Sequence, residues 1–132
     1  MPVDGAAQVT PLRILCVEDN PYGRVVMNTV LTQLGHHTDF VGTGDAAVDA
    51  VKRGEYDVVL MDVKLAALDG LEATRRIRAL SGALSNIPII GVSGHTGLAD
   101  AAAARRAGMD VFLPKPVSPR MLADAINRIV AR

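Results

Sequence analysis

The sequence predicts an α/β fold, a five-stranded parallel sheet with five helices distributed over both of its faces. The first observation is that short apolar runs rich in β-branched residues recur five times along the 132 residues. Such runs are typical of strands that are buried on both sides. The second observation is that a helical pattern follows each run, so that strand and helix alternate throughout the chain. This alternation favours parallel strands joined by right-handed crossovers.

Five segments carry the strand pattern, and the third is apolar at four consecutive positions before it meets an aspartate. The predicted strands are residues 12–17, 37–41, 56–61, 87–92 and 110–113. For five parallel strands we expect the flavodoxin-like order 2-1-3-4-5. In that order strands one and three are neighbours, and ligands bind in the crevice at their carboxyl ends.

Helices are predicted at about residues 21–34, 45–53, 69–80, 96–107 and from 118 onwards, with a polar loop at 81–86. The first helix has a clear start, because Asn20 suits the N-cap and Pro21 suits the first helical position. Its apolar residues Val26, Val30 and Leu34 recur every four positions, which predicts that they share one buried face.

Composition excludes several classes of protein. Hydrophobic residues make up 49% and charged residues 21%, and the formal net charge is zero. These values are typical of a globular domain and argue against non-specific nucleic-acid binding. No apolar run approaches the ~20 residues of a membrane span, and the first ten residues do not resemble a signal peptide, so we expect a cytoplasmic protein without membrane contact. Residues 1–11 are predicted to be a flexible lead-in or linker remnant, and residues 12–132 one domain.

Two residue types are predicted to be structural. Cys16 is the only cysteine and lies within an apolar run, so we expect a small core residue and no internal disulfide. The histidines His36, His37 and His95 have no ligand spacing with other candidates and are predicted at the surface or in loops.

Polar side chains follow four of the predicted strands. They are Glu18 and Asp19 after the first, Asp62 after the third, Ser93 after the fourth and Lys115 after the fifth. Because parallel strands end at the same edge of a sheet, we expect these side chains to surround one crevice. Three neighbouring carboxylates repel one another and must raise a pKa, recruit a cation or pair with the lysine. Hard oxygen ligands of this kind favour Mg²⁺.

This set of groups is suited to phosphorylation of Asp62. A carboxylate beside Mg²⁺ can attack phosphorus and form an acyl phosphate. The metal and a lysine would offset charge on the transferring group, and a hydroxyl could hydrogen-bond to one of its oxygens.

Four stretches of the chain carry a resemblance to a known family. They read ILCVEDNPYGR, YDVVLMDVKLAALDGLEATRRIR, IPIIGVSGH and GMDVFLPKPV. In this order and spacing the sequence resembles the response regulator receiver domain of two-component signalling, and most of all the receivers of hybrid sensor histidine kinases. The resemblance implies that Asp62 accepts phosphate from a phosphohistidine on a histidine kinase or a histidine phosphotransfer domain. It also implies that Glu18, Asp19, Asp62 and the backbone carbonyl of Lys64 hold Mg²⁺.

The resemblance further implies a conformational switch. Lys115 would contact the phosphoryl group, Ser93 would move toward it, and Phe112 would turn inward as the aromatic partner of Ser93. These movements would reshape the surface of the fourth helix, fifth strand and fifth helix, the usual output face of the family and a candidate homodimer surface. The resemblance also suggests a cis peptide bond between Lys115 and Pro116, although a trans bond is favoured on general grounds.

Three positions depart from the pattern of the family. Ala66 stands where many receivers have proline, Ser93 replaces the commoner threonine, and Lys64 places a long cation beside the site. We expect these differences to alter the lifetime of the phosphoryl group or the switching, and to leave the chemistry unchanged.

Three other functions are alternatives to this one. A flavin or nucleotide carrier needs a phosphate cradle of Gly, Ser or Thr after the first strand, where this chain has Glu18 and Asp19. A phosphatase with an aspartate nucleophile needs a second acid at the position of Lys64. A receiver-shaped docking module that never carries phosphate stays as the alternative. The domain is not expected to be an enzyme beyond its own phosphorylation, and it could act alone, as a phosphate shuttle or as part of a larger kinase.

Overall fold

The computed structural model describes residues 11–63, 69–94 and 98–130, and within these ranges five strands form one sheet. The strands are β1 (Arg13–Val17), β2 (His37–Val41), β3 (Val58–Asp62), β4 (Ile89–Ser93) and β5 (Val111–Pro114). All pairings are parallel, and the order is β2-β1-β3-β4-β5. The predicted fold class and strand order are therefore confirmed.

A helix follows each strand of the sheet. The helices are α1 (Pro21–Gln33), α2 (Gly44–Lys52), α3 (Gly70–Arg78), α4 (Leu98–Ala107) and α5 (Pro119–Val130). The predicted polar loop after α3 contains a short 3₁₀ helix, Gly82–Asn86. In the described residues no helix is both long and apolar enough to cross a bilayer.

The helices cover the sheet on both faces, and each face has its own core. Side chains of α1 and α5 pack on one face around Ile14 and Leu60, whereas α2, α3 and α4 pack on the other around Leu15 and Met61. Every residue of β3 is buried, because this strand lies in the middle of the sheet with helices above and below it. Its continuous apolar run follows from that position.

The buried face of α1 differs in part from the prediction. Asn20 caps the helix as expected, since its side chain accepts the amide hydrogens of Tyr22 and Gly23. The buried residues are Met27, Val30 and Leu31, with Leu34 packed beside them, whereas Val26 is 55% exposed. The assignment of Val26 to the buried face was wrong, because a repeat of four advances by more than the 3.6 residues of one turn and drifts around the helix.

Several strand boundaries differ from the prediction by one or two residues, and two of them matter for the site. Strand β3 includes Asp62, and β4 includes Ser93, so these residues end their strands instead of following them. Strand β4 begins later than predicted, at Ile89, since Pro88 has no amide hydrogen for the ladder. The Pro88 carbonyl still accepts the Val59 amide at 2.9 Å.

Side chains at the amino-terminal edge of the sheet are bonded to the starts of neighbouring strands. Asp57 precedes β3, and its carboxylate accepts the Arg13 amide hydrogen of β1 at 2.8 Å. Asp110 precedes β5 and accepts the Ile89 amide hydrogen of β4 at 2.9 Å. In both pairs the aspartate amide donates back to the carbonyl of the same partner.

His36, in the loop before β2, belongs to the same edge. It is buried, and its Nδ1 accepts the amide hydrogen of Leu12 at 3.0 Å. His36 thus lies in a loop, as predicted, and it is buried there because a histidine directly before a strand can satisfy the exposed backbone of the neighbouring strand. His37 is exposed, and His95 lies outside the described residues.

Candidate functional site

Four of the predicted site residues meet at the carboxyl-terminal edge of the sheet. The Lys115 Nζ lies 3.0 Å from the Asp62 Oδ2 and 3.2 Å from the Glu18 Oε1. Carboxylate oxygens of Glu18, Asp19 and Asp62 all lie within 4.8 Å of one another. Glu18 and Asp62 are only 4% and 6% exposed, whereas Asp19 faces solvent. Glu18 and Asp62 are therefore shielded from solvent, whereas the neighbouring Asp19 is accessible to it.

The turn between β1 and α1 fixes Glu18 through its backbone and its side chain. Its amide donates to the Val41 carbonyl at 3.0 Å, and its Oε2 accepts the Asn20 amide hydrogen at 3.1 Å. Its carbonyl accepts the Arg24 Nε–H at 2.7 Å. Gly23 lets the helix pass close by, since a Cβ there would lie 2.7 Å from the Glu18 Cδ. Glu18 consequently has little freedom to change its orientation.

Asp62 is held by its strand and by the start of α3. Val63 donates its amide hydrogen to Val92 of β4 at 3.0 Å, which extends the pairing of the strands past Asp62. Gly70 donates to the Val63 carbonyl at 2.9 Å, and a Cβ at Gly70 would collide with the Asp62 carbonyl oxygen. A glycine at the first position of α3 is thus what allows this helix to begin directly against the strand that carries Asp62.

Lys115 reaches the acids from the end of β5. Its amide donates to the Ser93 carbonyl at 2.9 Å, and the following bond to Pro116 is cis, as the resemblance suggests. Partial burial by itself would lower the pKa of Lys115, but the hydrogen bond and charge of Asp62, together with Glu18, raise it above its ordinary value. The lysine is therefore a cation in this site at neutral pH.

The two predicted switch residues lie on adjacent strands. Ser93 is 2% exposed at the end of β4, and Phe112 is half-buried in β5, packed against the core beneath α3 and α4. Phe112 is in register with Gly91, whose missing side chain leaves room for the Met109 sulfur. The predicted metal ligand Lys64 and the departure Ala66 lie outside the described residues.

A cavity of about 390 Å³ opens beside the acids, between α1 and the loop that follows β5. Its polar end contains Glu18, Asp62 and Lys115, and its lining also includes Tyr22 and Val26, which are 83% and 55% exposed. Cys16 lines the floor, and its burial raises the pKa of the thiol to about 12, so it is neither a metal ligand nor a nucleophile at neutral pH.

Sequence reasoning did not identify the residues that support the site. Arg24 and the close-approach glycines Gly23 and Gly70 had no assigned role. The sequence does contain an indication for Gly70. Glycine is a poor helix former, so a glycine directly after the helix cap Asp69 indicates that a larger side chain has no room there.

The chemistry of the site follows from its imbalance of charge. In the described part of the site three carboxylates surround one ammonium group, so the cluster is net negative. Hard carboxylate oxygens at this spacing fit a divalent cation such as Mg²⁺, which takes oxygen ligands together with water. The residues present therefore fit a metal of this kind.

Known relatives of the chain share this fold. The model of the response regulator receiver domain matches residues 14–127. The solved receiver domain of the sensor histidine kinase PA1611 from Pseudomonas aeruginosa PAO1, which has a magnesium ion coordinated in its active site cleft, superimposes with a TM-score of 0.86 and is 35% identical. That alignment covers 93% of this chain and 100% of the other.

The similar curated proteins are much longer kinases. The chain is 38% identical to the sensor protein GacS of Pseudomonas syringae pv. syringae over 86% of its own length and 13% of that protein. It is 32% identical to the hybrid signal transduction histidine kinase I of Dictyostelium discoideum over 96% of its length and 8% of that protein. The chain thus spans a small fraction of these relatives. The match over most of its residues shows that the chain belongs to the response regulator receiver domain family of two-component systems and is related to the receivers of hybrid histidine kinases.

Proposed function

We propose that this domain is a cytoplasmic phosphoacceptor of a two-component phosphorelay, which takes a phosphoryl group from a phosphohistidine onto Asp62. The observation that carries the proposal is the position of the Asp62 carboxylate. It is buried, lies 3.0 Å from the Lys115 ammonium, and is within 4.8 Å of carboxylate oxygens from Glu18 and Asp19.

Glu18, Asp19 and Asp62 would hold Mg²⁺ in this proposal, and the backbone carbonyl of Lys64 would join them as the resemblance implies. The similar receiver of PA1611 has magnesium in its cleft, which supports the same ion here. When bound, the metal supplies positive charge beside the phosphoryl oxygens, where negative charge must be tolerated during transfer.

The residues of the chain have distinct parts in the transfer. An oxygen of Asp62 attacks the phosphorus, forming an O–P bond as the N–P bond to histidine breaks, and the imidazole leaves with the electron pair of that bond. Lys115 is positioned to contact an oxygen of the transferred group, since it already lies within hydrogen-bond distance of Asp62. The burial of Asp62 and Glu18 keeps bulk water at a distance and strengthens these electrostatic contacts.

The donor is expected to be a histidine kinase or a histidine phosphotransfer domain, and the cavity beside α1 suggests its direction of approach. The exposed apolar residues Tyr22 and Val26 line a cavity that ends at Asp62 and Lys115, and Val25 is also exposed on the same helix. A donor helix packed on this surface would place its phosphohistidine next to the acceptor carboxylate.

The output is proposed to leave the site through β4 and β5. Ser93 ends β4 next to the Lys115 turn, and Phe112 lies one strand away, so a movement of Ser93 toward a phosphoryl group would be felt by α4, β5 and α5. We propose this face as the output surface, through which two copies of the domain could also pair.

Phosphorylation by an authentic donor tests the proposal. The domain is incubated with Mg²⁺ and a phosphorylated histidine kinase, and its intact mass is measured before the labelled residue is mapped. We expect an increase by one phosphoryl group at Asp62, none in Asp62→Asn, and an unchanged increase in Asp49→Asn, which alters an exposed carboxylate of α2. Label on the wild type and on Asp62→Asn alike would contradict the assignment of Asp62.

The alternative is a docking module that acts without phosphate, and beryllofluoride separates the two functions. With Mg²⁺ it should shift the amide signals near Asp62, Ser93 and Phe112 in the wild type and leave them in place in Asp62→Ala. An unresponsive wild type that still binds a kinase would favour the docking module. The cluster of buried acids and lysine argues against it, because burial of charged groups is costly and such clusters in a cleft are typical of functional sites.

A further inference from the structure

We infer that Arg24 is a positioning residue for the acidic pair Glu18 and Asp19, and that its side chain sets the affinity of the site for Mg²⁺. The inference rests on the proposed function, because it concerns the same metal-binding groups. Neither the composition of the chain nor the pattern of its strand ends points to this arginine. The assignment comes from its contacts with the turn between β1 and α1.

Arg24 closes this turn at both of its ends. The Arg24 backbone amide donates to the Asn20 carbonyl at 3.0 Å, which fixes the residue in the first turn of α1. Its side chain then reaches back, and the Nε–H donates to the Glu18 carbonyl at 2.7 Å. A bond this short from a charged donor is at the strong end of the hydrogen bonds in proteins. The two acids lie in the segment of chain that these two bonds enclose.

The other backbone group of Glu18 is held from the opposite side. Its amide donates to the Val41 carbonyl at the end of β2, at 3.0 Å. Glu18 therefore has both backbone groups satisfied, one by β2 and one by Arg24. Since its carboxylate is buried and lies 3.2 Å from the Lys115 Nζ, a small rotation of this backbone would move the carboxylate away from the cluster.

Gly42 makes the reach of Arg24 possible. An added Cβ at Gly42 would lie 2.9 Å from the Arg24 Nη2, so the guanidinium passes over the turn after β2 where a side chain is missing. The arginine thus connects α1, the acidic turn and the β2–α2 turn. This gives a second residue, remote from the acids in sequence, at which an added Cβ meets the Arg24 guanidinium and no atom of Glu18 within 4 Å.

The charge of Arg24 and its bond to the Glu18 carbonyl have opposite effects on Mg²⁺ affinity, and this makes the inference testable. A guanidinium near a divalent cation repels it, so removal of the charge alone would tighten Mg²⁺ binding. Loss of the bond to the Glu18 carbonyl would instead loosen the acidic turn and weaken binding. Substitutions of residues that hold metal ligands in place typically weaken metal affinity by about 10-fold or more.

The experiment is an NMR titration with MgCl₂ of the wild type, Arg24→Met, Arg24→Lys and Gly42→Ala. Arg128→Met, which removes an exposed arginine of α5, is the control for loss of one positive charge. We expect the Mg²⁺ Kd to rise about 10-fold in Arg24→Lys, by less in Arg24→Met because loss of the charge partly offsets loss of the bond, and by a smaller factor in Gly42→Ala, with Arg128→Met unchanged. Arg24→Lys is decisive, because it keeps the charge and loses the Nε donor. In metal-free protein the amide signals of Glu18 and Asn20 should already move in Arg24→Lys.

Several results would overturn the inference. Tighter binding in Arg24→Met with an unchanged Kd in Arg24→Lys would show an effect of charge alone. A lower melting temperature with the same Kd in all variants would show a structural role alone. Should Arg24→Met not fold, Arg24→Lys and Gly42→Ala carry the test, and an unchanged Kd in both overturns it. If the wild type itself fails to respond to Mg²⁺, the proposed function fails and the inference with it, whereas a responsive wild type with equally responsive variants removes the inference alone.

Discussion

The two edges of the sheet contain similar polar side chains and use them in opposite ways. At the amino-terminal edge, Asp57, Asp110 and His36 each accept a backbone amide hydrogen from the start of a neighbouring strand. At the carboxyl-terminal edge, the carboxylates of Glu18 and Asp62 both contact the side chain of Lys115. Each acid at the first edge thus accepts a hydrogen bond from a strand amide, whereas the two acids at the second edge share the Lys115 ammonium group.

The comparison shows how one fold separates stability from function. An aspartate that satisfies backbone groups contributes to the folded state whether or not a ligand is present. A cluster in which carboxylates outnumber cations, as in the described part of this site, gains most when a further cation arrives. Substitutions at the amino-terminal edge should therefore change the free energy of unfolding, and substitutions at the other edge should change binding.

Arg78 offers the strongest test of the structural edge. Its Nε donates to the Gly108 carbonyl at 2.9 Å, its Nη1 donates to the Ser85 and Ile87 carbonyls, and its Nη2 contacts Asp110 at 2.9 Å. Arg78→Met removes all four bonds and leaves the Asp110 charge without this partner in a half-buried place. We expect a loss of about 3 kcal/mol in the free energy of unfolding, measured by chemical denaturation, with Mg²⁺ affinity unchanged.

The matched control for Arg78 is Arg76→Met on the same helix. Arg76 pairs with Glu72 and Asp45, and all three side chains are at least 40% exposed. Exposed ion pairs contribute little, so the expected loss is below about 0.5 kcal/mol. Equal losses for the two variants, or a change of Mg²⁺ affinity in Arg78→Met, would remove the distinction between the edges.

Gly70→Ala tests the point where backbone packing meets the site. The added Cβ would collide with the Asp62 carbonyl oxygen, so α3 or the end of β3 has to shift. We expect a loss of about 2 kcal/mol in the free energy of unfolding together with slower phosphorylation, which would make this the one variant that affects both properties. Gly94→Ala is the control, since a Cβ at Gly94 meets no atom of the described residues within 4 Å and should cost almost nothing.

Mg²⁺ itself should stabilise the domain, and the size of this effect tests which carboxylates of the carboxyl-terminal edge bind the ion. At a concentration ten times the Kd, binding to the folded state alone adds about 1.4 kcal/mol to the free energy of unfolding. Asp19→Asn should lose most of this increment, because it removes one of the three clustered carboxylates. Arg78→Met should keep it in full. Thermal melts with and without MgCl₂ measure the increment, and an identical increment in Asp19→Asn would contradict the proposed ligand set.

His36 makes the amino-terminal edge sensitive to acid by a smaller amount. Burial, and to a lesser degree the charge of His37, lower the pKa of His36 from 6.5. Because the folded pKa lies below the unfolded one, the unfolded chain binds more protons, and stability is fully present above pH 6.5 and declines as pH falls through the folded pKa. We therefore expect acidification to lower the free energy of unfolding through this group, measured by chemical denaturation at a series of pH values.

Comparison of His36→Asn with His37→Asn isolates that contribution. The asparagine oxygen can replace Nδ1 as acceptor for the Leu12 amide without titrating, so the pH dependence should flatten in His36→Asn only. His37→Asn removes only the lesser cause of the shift, the neighbouring charge, so its slope should stay close to that of the wild type. An unchanged slope in His36→Asn would show that another group is responsible.

The fold was predictable because its signals are local and repeated. Continuous apolar runs predict buried strands such as β3, and the alternation of strands with helices predicts the strand order. The convergence of Glu18, Asp62 and Lys115 could also be anticipated, since it depends only on which residues end parallel strands. The phosphoacceptor role of Asp62 and the switch role of Phe112 stay predictions until phosphorylation is measured.

What sequence reasoning missed depends on side-chain direction. The exposure of Val26 is set by the rotation of α1 against α5 and β1, which a repeat of four residues does not define. The bond from Arg24 to the Glu18 carbonyl depends on a turn geometry that has no signature in the residues alone. A local signal did exist at the amino-terminal edge, where Asp57 and Asp110 each stand directly before a strand that begins with valine.

The protected thiol of Cys16 has a practical consequence for studying this receiver. It is the only cysteine of the chain, and in the fold it is both covered and difficult to ionise, so thiol-directed reagents should leave the native protein unmodified. A cysteine introduced on the open surface of α1 or α5 would then carry a spin label or fluorophore at one defined place, without removal of the natural residue. Distances measured between such labels could report movements of the helices directly when Asp62 is phosphorylated.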